Sequence, residues 1–166
     1  SYAVSAFHGL SRPASATPSA ARFELARDAG TQAFEGQLDS SGGAGRFSFT
    51  PSPDFGAEMQ KLGYASLSDE DLFTMAVLDV GRAFIQGLAE AGYTRLPFDD
   101  LVAMRIHGAT PQFVRELAAL GYSHLPPDDL VAMRIHGATP QFIRQLQALG
   151  YPRLSPDDLV AMRIHG

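Results

Sequence analysis

The sequence predicts an α+β fold, mainly α: a small antiparallel β-meander followed by a short solenoid of 29-residue helical hairpins. Two observations carry this. Apolar residues alternate with period two up to about residue 50 and then take a helical period. The dipeptide Gly-Tyr recurs at 63/64, 92/93, 121/122 and 150/151, and Asp-Leu and a Phe (55, 84, 113, 142) keep the same interval of 29. Several landmarks locked in phase mark an internal repeat; generic helicity would let the phase drift.

Residues 1–21 are rich in Ser, Ala and Pro beyond Gly9 and read as a flexible N-terminal segment. Residues 22–52 read as the meander. In "ARFELARD" Phe23 and Leu25 share a face, as do Phe34 and Leu38 in "TQAFEGQLD" and Phe47 and Phe49 in "GRFSFTP". The turns "DAG" and "DSSGGAG" separate the three strands, and the helix that follows is the expected cover for the Phe-rich face.

Residues 53–166 read as helical repeats: a helix over 53–62, units at 64–92, 93–121 and 122–150, and a partial unit at 151–166. The first helix of each unit starts near Ser68, Pro97, Pro126 or Ser155. There a cap, a proline and a pair of aspartates suit the positive end of the helix dipole. It ends at Gly108, Gly137 or Gly166. Thr110-Pro111 and Thr139-Pro140 start the second helix, and the glycine of Gly-Tyr ends it. The second helix is amphipathic, with Phe113, Val114, Leu117 and Leu120 opposite Gln112, Arg115 and Glu116. The first is apolar nearly all round, which suits a helix sandwiched between neighbours. A pair of such short helices cannot bury its apolar surface alone, whereas stacked pairs bury a continuous core.

The formal charge of −5 is unevenly placed: from Tyr93 onward seven acidic residues balance seven Arg, so residues 1–92 carry the excess. Neither part has the basic surplus that phosphate binding demands. There is no Cys, which excludes disulfides, thiolate metal sites and thiol nucleophiles. No run of about 18 apolar residues could span a bilayer, and the N-terminus has no signal-peptide pattern. Because the last copy stops at Gly166, after its first helix, the chain is expected to be a fragment, with any signal or membrane segment outside it.

No catalytic constellation emerges, and no cofactor is implied. His107, His136 and His165 form a ladder at the ends of the first helices, where a C-terminal cap facing the helix dipole is expected. Stacked units lie about 10 Å apart, too far for one metal ion to bridge successive histidines. Arg105, Arg134 and Arg163 form a second ladder, expected to bond carboxylates or carbonyls of the adjacent unit. The Asp pairs 99/100, 128/129 and 157/158 cap helix N-termini. "SSGGAG" lacks the Lys and Ser/Thr of a phosphate loop and reads as a hairpin turn.

The repeat "GYxxLxxDDLVAMRIHGATPQFxRxLxALGY", joined to "FELARDAGTQAFEGQLDSSGGAGRFSFTPSPDF", resembles the repeat-bearing extracytoplasmic region of bacterial M56-type antirepressor peptidases and related exported proteins, over residues 22–166. The resemblance implies a sensory or interaction region outside the cytoplasmic membrane, in the periplasm. The family's peptidase residues have nothing to map onto, since His-Glu-x-x-His is absent, and so is the Ser-x-x-Lys set of a penicillin-binding sensor.

The expected function is therefore a non-enzymatic protein-protein interaction or sensory module with a protein partner. Self-association through the open repeat end is a further expectation. Copies differ at the loops, Thr94-Arg95, Ser123-His124 and Pro152-Arg153, and on the polar face of the second helices, Glu116/Gln145 and Ala118/Gln147; Arg95, Arg115, Glu116, His124, Arg144, Gln145, Gln147 and Arg153 form the candidate interaction surface. The alternative, a modular nucleic-acid-binding array, needs a residue pair that changes from unit to unit and a basic stripe, and neither is present.

Overall fold

The computed structural model describes residues 4–11, 15–64, 67–151 and 153–165. The fold is α+β and mainly α, with a three-stranded antiparallel sheet followed by helices. The chain divides into two compact units, Ser1–Gly81 and Arg82–Gly166.

In the first unit β1 (Ser19–Arg27), β2 (Gly30–Leu38) and β3 (Gly43–Pro51) pair in the order β1-β2-β3. The register sets Phe23, Phe34 and Phe47 in one row across the sheet and Leu25, Gln32 and Phe49 in the next row on the same face. The opposite face carries Arg22, Glu35 and Arg46, where Glu35 accepts from both guanidinium groups at 3.0 and 3.1 Å. Two helices follow. Ser52 caps α1 (Pro53–Lys61), and Ser68 and Asp71 form a reciprocal capping box on α2 (Asp69–Leu78).

Phe55, Met59, Leu72 and Met75 of these helices are buried with Leu25. Each such side chain removed from water contributes about 1.5–3 kcal/mol. The principal cover of the Phe-rich face is α2, not α1 as expected. It packs on β2 and β3 and sets Phe73 against the rings of Phe47 and Phe49, 5.7 and 5.3 Å between centroids.

Part of the N-terminal segment lies on the sheet. Residues 4–6 form a 3-10 turn, Phe7 lies edge-on to Phe23 and Phe34, and His8 exchanges two backbone hydrogen bonds with Glu24. The physical reason is the open Phe row, which Phe7 partly covers. β1 begins at Ser19, three residues before the expected start of the meander. Residues 1–3 and 12–14 of that expected segment lie outside the described residues.

The second unit holds α3 (Arg82–Glu90), α4 (Phe98–His107), α5 (Pro111–Ala119), α6 (Pro127–His136), α7 (Pro140–Ala148) and α8 (Pro156–His165). The odd and even helices make two rows: α4, α6 and α8 stack in one, and α3, α5 and α7 in the other. Equivalent residues fill the core of each copy: Leu101, Leu130 and Leu159; Met104 and Met133; Leu88, Leu117 and Leu146.

Gly108 and Gly137 end α4 and α6 in the left-handed conformation, and Ala109 and Ala138 return their amides to the carbonyls of Met104 and Met133. Thr110 and Thr139 cap α5 and α7 through their hydroxyls. Pro97 and Pro126 offer no capping side chain to α4 and α6, whereas Ser155 accepts from the Asp158 amide at the start of α8.

The first helices are sandwiched between neighbours in their row, α6 between α4 and α8, but not on every side. Each is covered by its neighbours in the row and by the second helices. One stripe stays open, and Ile106, Ile135 and Ile164 are 57%, 54% and 53% exposed on it.

Candidate interaction surface

Two ladders bind each copy to the next. The first is aromatic and cationic. Arg105, Arg134 and Arg163 place their guanidinium carbons 5.2, 5.1 and 5.0 Å from the ring centroids of Phe84, Phe113 and Phe142, each on the second helix that precedes it. Arg134 also points its Nε at the carbonyl of His107, at 3.4 Å. The Arg ladder thus meets rings as well as a carbonyl of the neighbouring copy, and the ring was missed in the sequence. The signal was present, since Phe84 to Arg105, Phe113 to Arg134 and Phe142 to Arg163 keep one separation.

The second ladder is made of tyrosines. Tyr93 donates its hydroxyl to the Leu125 carbonyl at 2.7 Å, and Tyr122 donates to the Leu154 carbonyl at 2.8 Å. Burial raises both hydroxyl pKa values above 10.0; at Tyr122 the nearby Arg153 guanidinium opposes the shift.

These contacts redistribute the expected surface. Arg153 lies 5.1 Å from the Tyr122 ring centroid, and the His124 ring lies against Gly92, so these variable loop residues also join one copy to the next. Arg95 and His124 hold left-handed backbone, at φ 54° and 57°. On the second helices Arg115, Arg144, Gln145 and Gln147 are exposed, and Glu116 is half-buried and accepts from Gln112 at 2.8 Å. Glu116, Arg134 and Arg144 share the wall of a groove of about 460 Å³ between α5 and α7 with Gln112 and Gln141. In the equivalent joint between α3 and α5, Gly87 stands where Glu116 does, and a Cβ there would meet the Pro111 ring at 2.8 Å.

His107, His136 and His165 are the exposed last residues of α4, α6 and α8. Among the described residues no three His, Asp or Glu side chains come together as a metal site, and no single helix is long and apolar enough to cross a membrane.

The feature that sequence reasoning missed is the isoleucine ladder. Ile106, Ile135 and Ile164 stand at the same place in three stacked helices, each beside a half-buried valine one turn earlier, Val102, Val131 or Val160. Asp99, Asp128 and Asp157, two turns before the isoleucines on the same stripe, give it an acidic rim. At the last copy Leu149 and Tyr151 are 75% and 47% exposed, while their counterparts Leu120 and Tyr122 are half-buried and buried beneath the following copy.

No family model matches the chain. Searches of curated proteins and of solved structures give no match either.

Proposed function

We propose that the chain is a non-enzymatic protein-interaction module whose repeat array receives an amphipathic segment of a partner protein along the isoleucine ladder. The observation that carries this reading is the triple exposure of Ile106, Ile135 and Ile164. Single exposed apolar residues are ordinary, but a row repeated in register along stacked helices is a contiguous patch, and such patches mark binding sites. The acidic rim of Asp99, Asp128 and Asp157 favours a partner segment with apolar residues at helical spacing flanked by Lys or Arg. A place outside the cytoplasmic membrane, as a sensory region of a larger envelope protein, rests on the sequence resemblance and belongs to the same proposal.

The test is affinity capture with the full chain beside an Ile106→Glu/Ile135→Glu/Ile164→Glu variant, on periplasmic and cytoplasmic extracts at low and high salt. A protein held at high salt by the native chain and lost with the triple variant supports the module. Equal capture by both chains, or nucleic acid that elutes as salt rises, overturns it.

A further inference from the structure

The two edges of the sheet are treated differently. β1 is shielded in part by the N-terminal segment, through the paired backbone bonds between His8 and Glu24 at 2.8 and 2.9 Å. Among the described residues β3 pairs with a strand on one side only, β2, and of its nine residues the first six are exposed. A bare edge is ordinarily blunted by lysine, proline or a bulge. In β3 Arg46 is the one charged residue, and the one proline, Pro51, stands at the very end.

We propose that β3 pairs antiparallel with β3 of a second copy of this chain, in the register that sets Phe47 against Phe47 of that copy. Phe47 is the central residue of Gly43–Pro51, so this register overlaps the two strands along their whole length. Residues directly opposite share a face, so the row Phe23, Phe34, Phe47 continues into the same row of the second copy as six successive rings. Phe47, 57% exposed in the single chain, becomes the centre of that row.

The other pairs of the register are complementary. Gly45 falls opposite Phe49 of the second copy. Beside the Phe row lies a notch of about 230 Å³ floored by Gly36 and Gly45, with Phe47 and Leu38 in its walls. Arg46 falls opposite Ser48 of the second copy, so the edge's one charge meets a neutral hydroxyl and no like charge is apposed. None of its residues belongs to the isoleucine ladder, and the inference does not depend on the proposed function.

Because the register fixes the neighbour of residue 48, charge at that exposed position reads it directly. The mass of the native full chain in solution is measured over a concentration series by sedimentation equilibrium, beside Ser48→Glu and Ser48→Arg. Two new pairs form per dimer, so Ser48→Glu, meeting Arg46 of the second copy, tightens the dimer roughly fivefold, and Ser48→Arg weakens it roughly fivefold. Circular dichroism establishes that each variant is folded, and Phe47→Lys, which opposes two like charges at the two-fold axis, abolishes the dimer. A chain that is monomeric throughout the series overturns the proposal. So does a dimer whose dissociation constant is the same with Glu or Arg at position 48, as self-association through the open end near Tyr151 would give.

Discussion

The hydroxyl of Tyr122 donates to the carbonyl of Leu154, 32 residues ahead in the next copy, and Tyr93 makes the same bond to Leu125. Each tyrosine opens its own copy and the carbonyl lies near the start of the next, so each bond fixes the spacing of a joint. Tyr122→Phe keeps the ring and removes the donor, leaving a carbonyl without its partner. The expected loss is about 1 kcal/mol in a denaturant titration. Tyr151→Phe, at an exposed ring, leaves the midpoint unchanged.

The same bonds set an alkaline limit. In the unfolded chain these tyrosines titrate near 10.0, and burial raises Tyr93 and Tyr122 above that in the fold. The folded state therefore holds protons that the unfolded state has released. The stabilisation is complete below pH 10 and is lost as pH rises through the folded values. Thermal melts between about pH 9 and pH 11 should show a falling midpoint, with a shallower fall in the Tyr93→Phe/Tyr122→Phe chain.

Arg134 separates charge from shape. Its guanidinium carbon lies 5.1 Å from the Phe113 ring centroid while Nε donates to the His107 carbonyl. Lysine keeps the charge but has neither the plane nor that donor. Arg134→Lys is expected to cost about 0.5–1 kcal/mol. In a double-mutant cycle with Phe113→Leu the loss should shrink, and equal losses with and without the ring would remove the stacking from the account.

The architecture was legible because the repeat imposed its own phase. Gly-Tyr at fixed spacing located every second-helix end, and Thr-Pro located the next start but one. The joints were less legible. That Arg134 would lie over Phe113 depends on how far one helix pair is rotated against the next, which no local pattern encodes. The exposed isoleucines were hidden for the opposite reason: composition says that a helix is apolar, while exposure depends on which sides its neighbours reach. Phe7 was hidden by the Ser/Ala/Pro stretch behind it, although an aromatic ring ahead of a Phe-faced strand is a natural cover.

Gly121 tests whether the joints are equivalent. It ends α5 at φ 92°, a backbone that β-branched residues avoid, and Tyr122 then returns its amide to the Leu117 carbonyl. A Cβ there meets nothing closer than Arg153 at 3.8 Å, so the cost of Gly121→Val is backbone strain and not collision. About 1–3 kcal/mol is expected, read as a lower melting midpoint by circular dichroism. An unchanged melt would mean that the left-handed turn is dispensable.

Gln32 is the polar residue in the core of the sheet. It shares the row of Leu25 and Phe49 on the covered face, is 7% exposed, and its Nε2 has no hydrogen-bond partner among the described residues. A buried amide donor without a partner costs about 1–3 kcal/mol. Methionine has a similar length and no donor to satisfy, so Gln32→Met should raise stability by about 1 kcal/mol in a denaturant titration. The gain depends on the Gln32 amide staying dry. A Gln32→Met chain less stable than the native one would show instead that the amide is satisfied in solution, and that the polar position in the row of Leu25 and Phe49 is a structural bond.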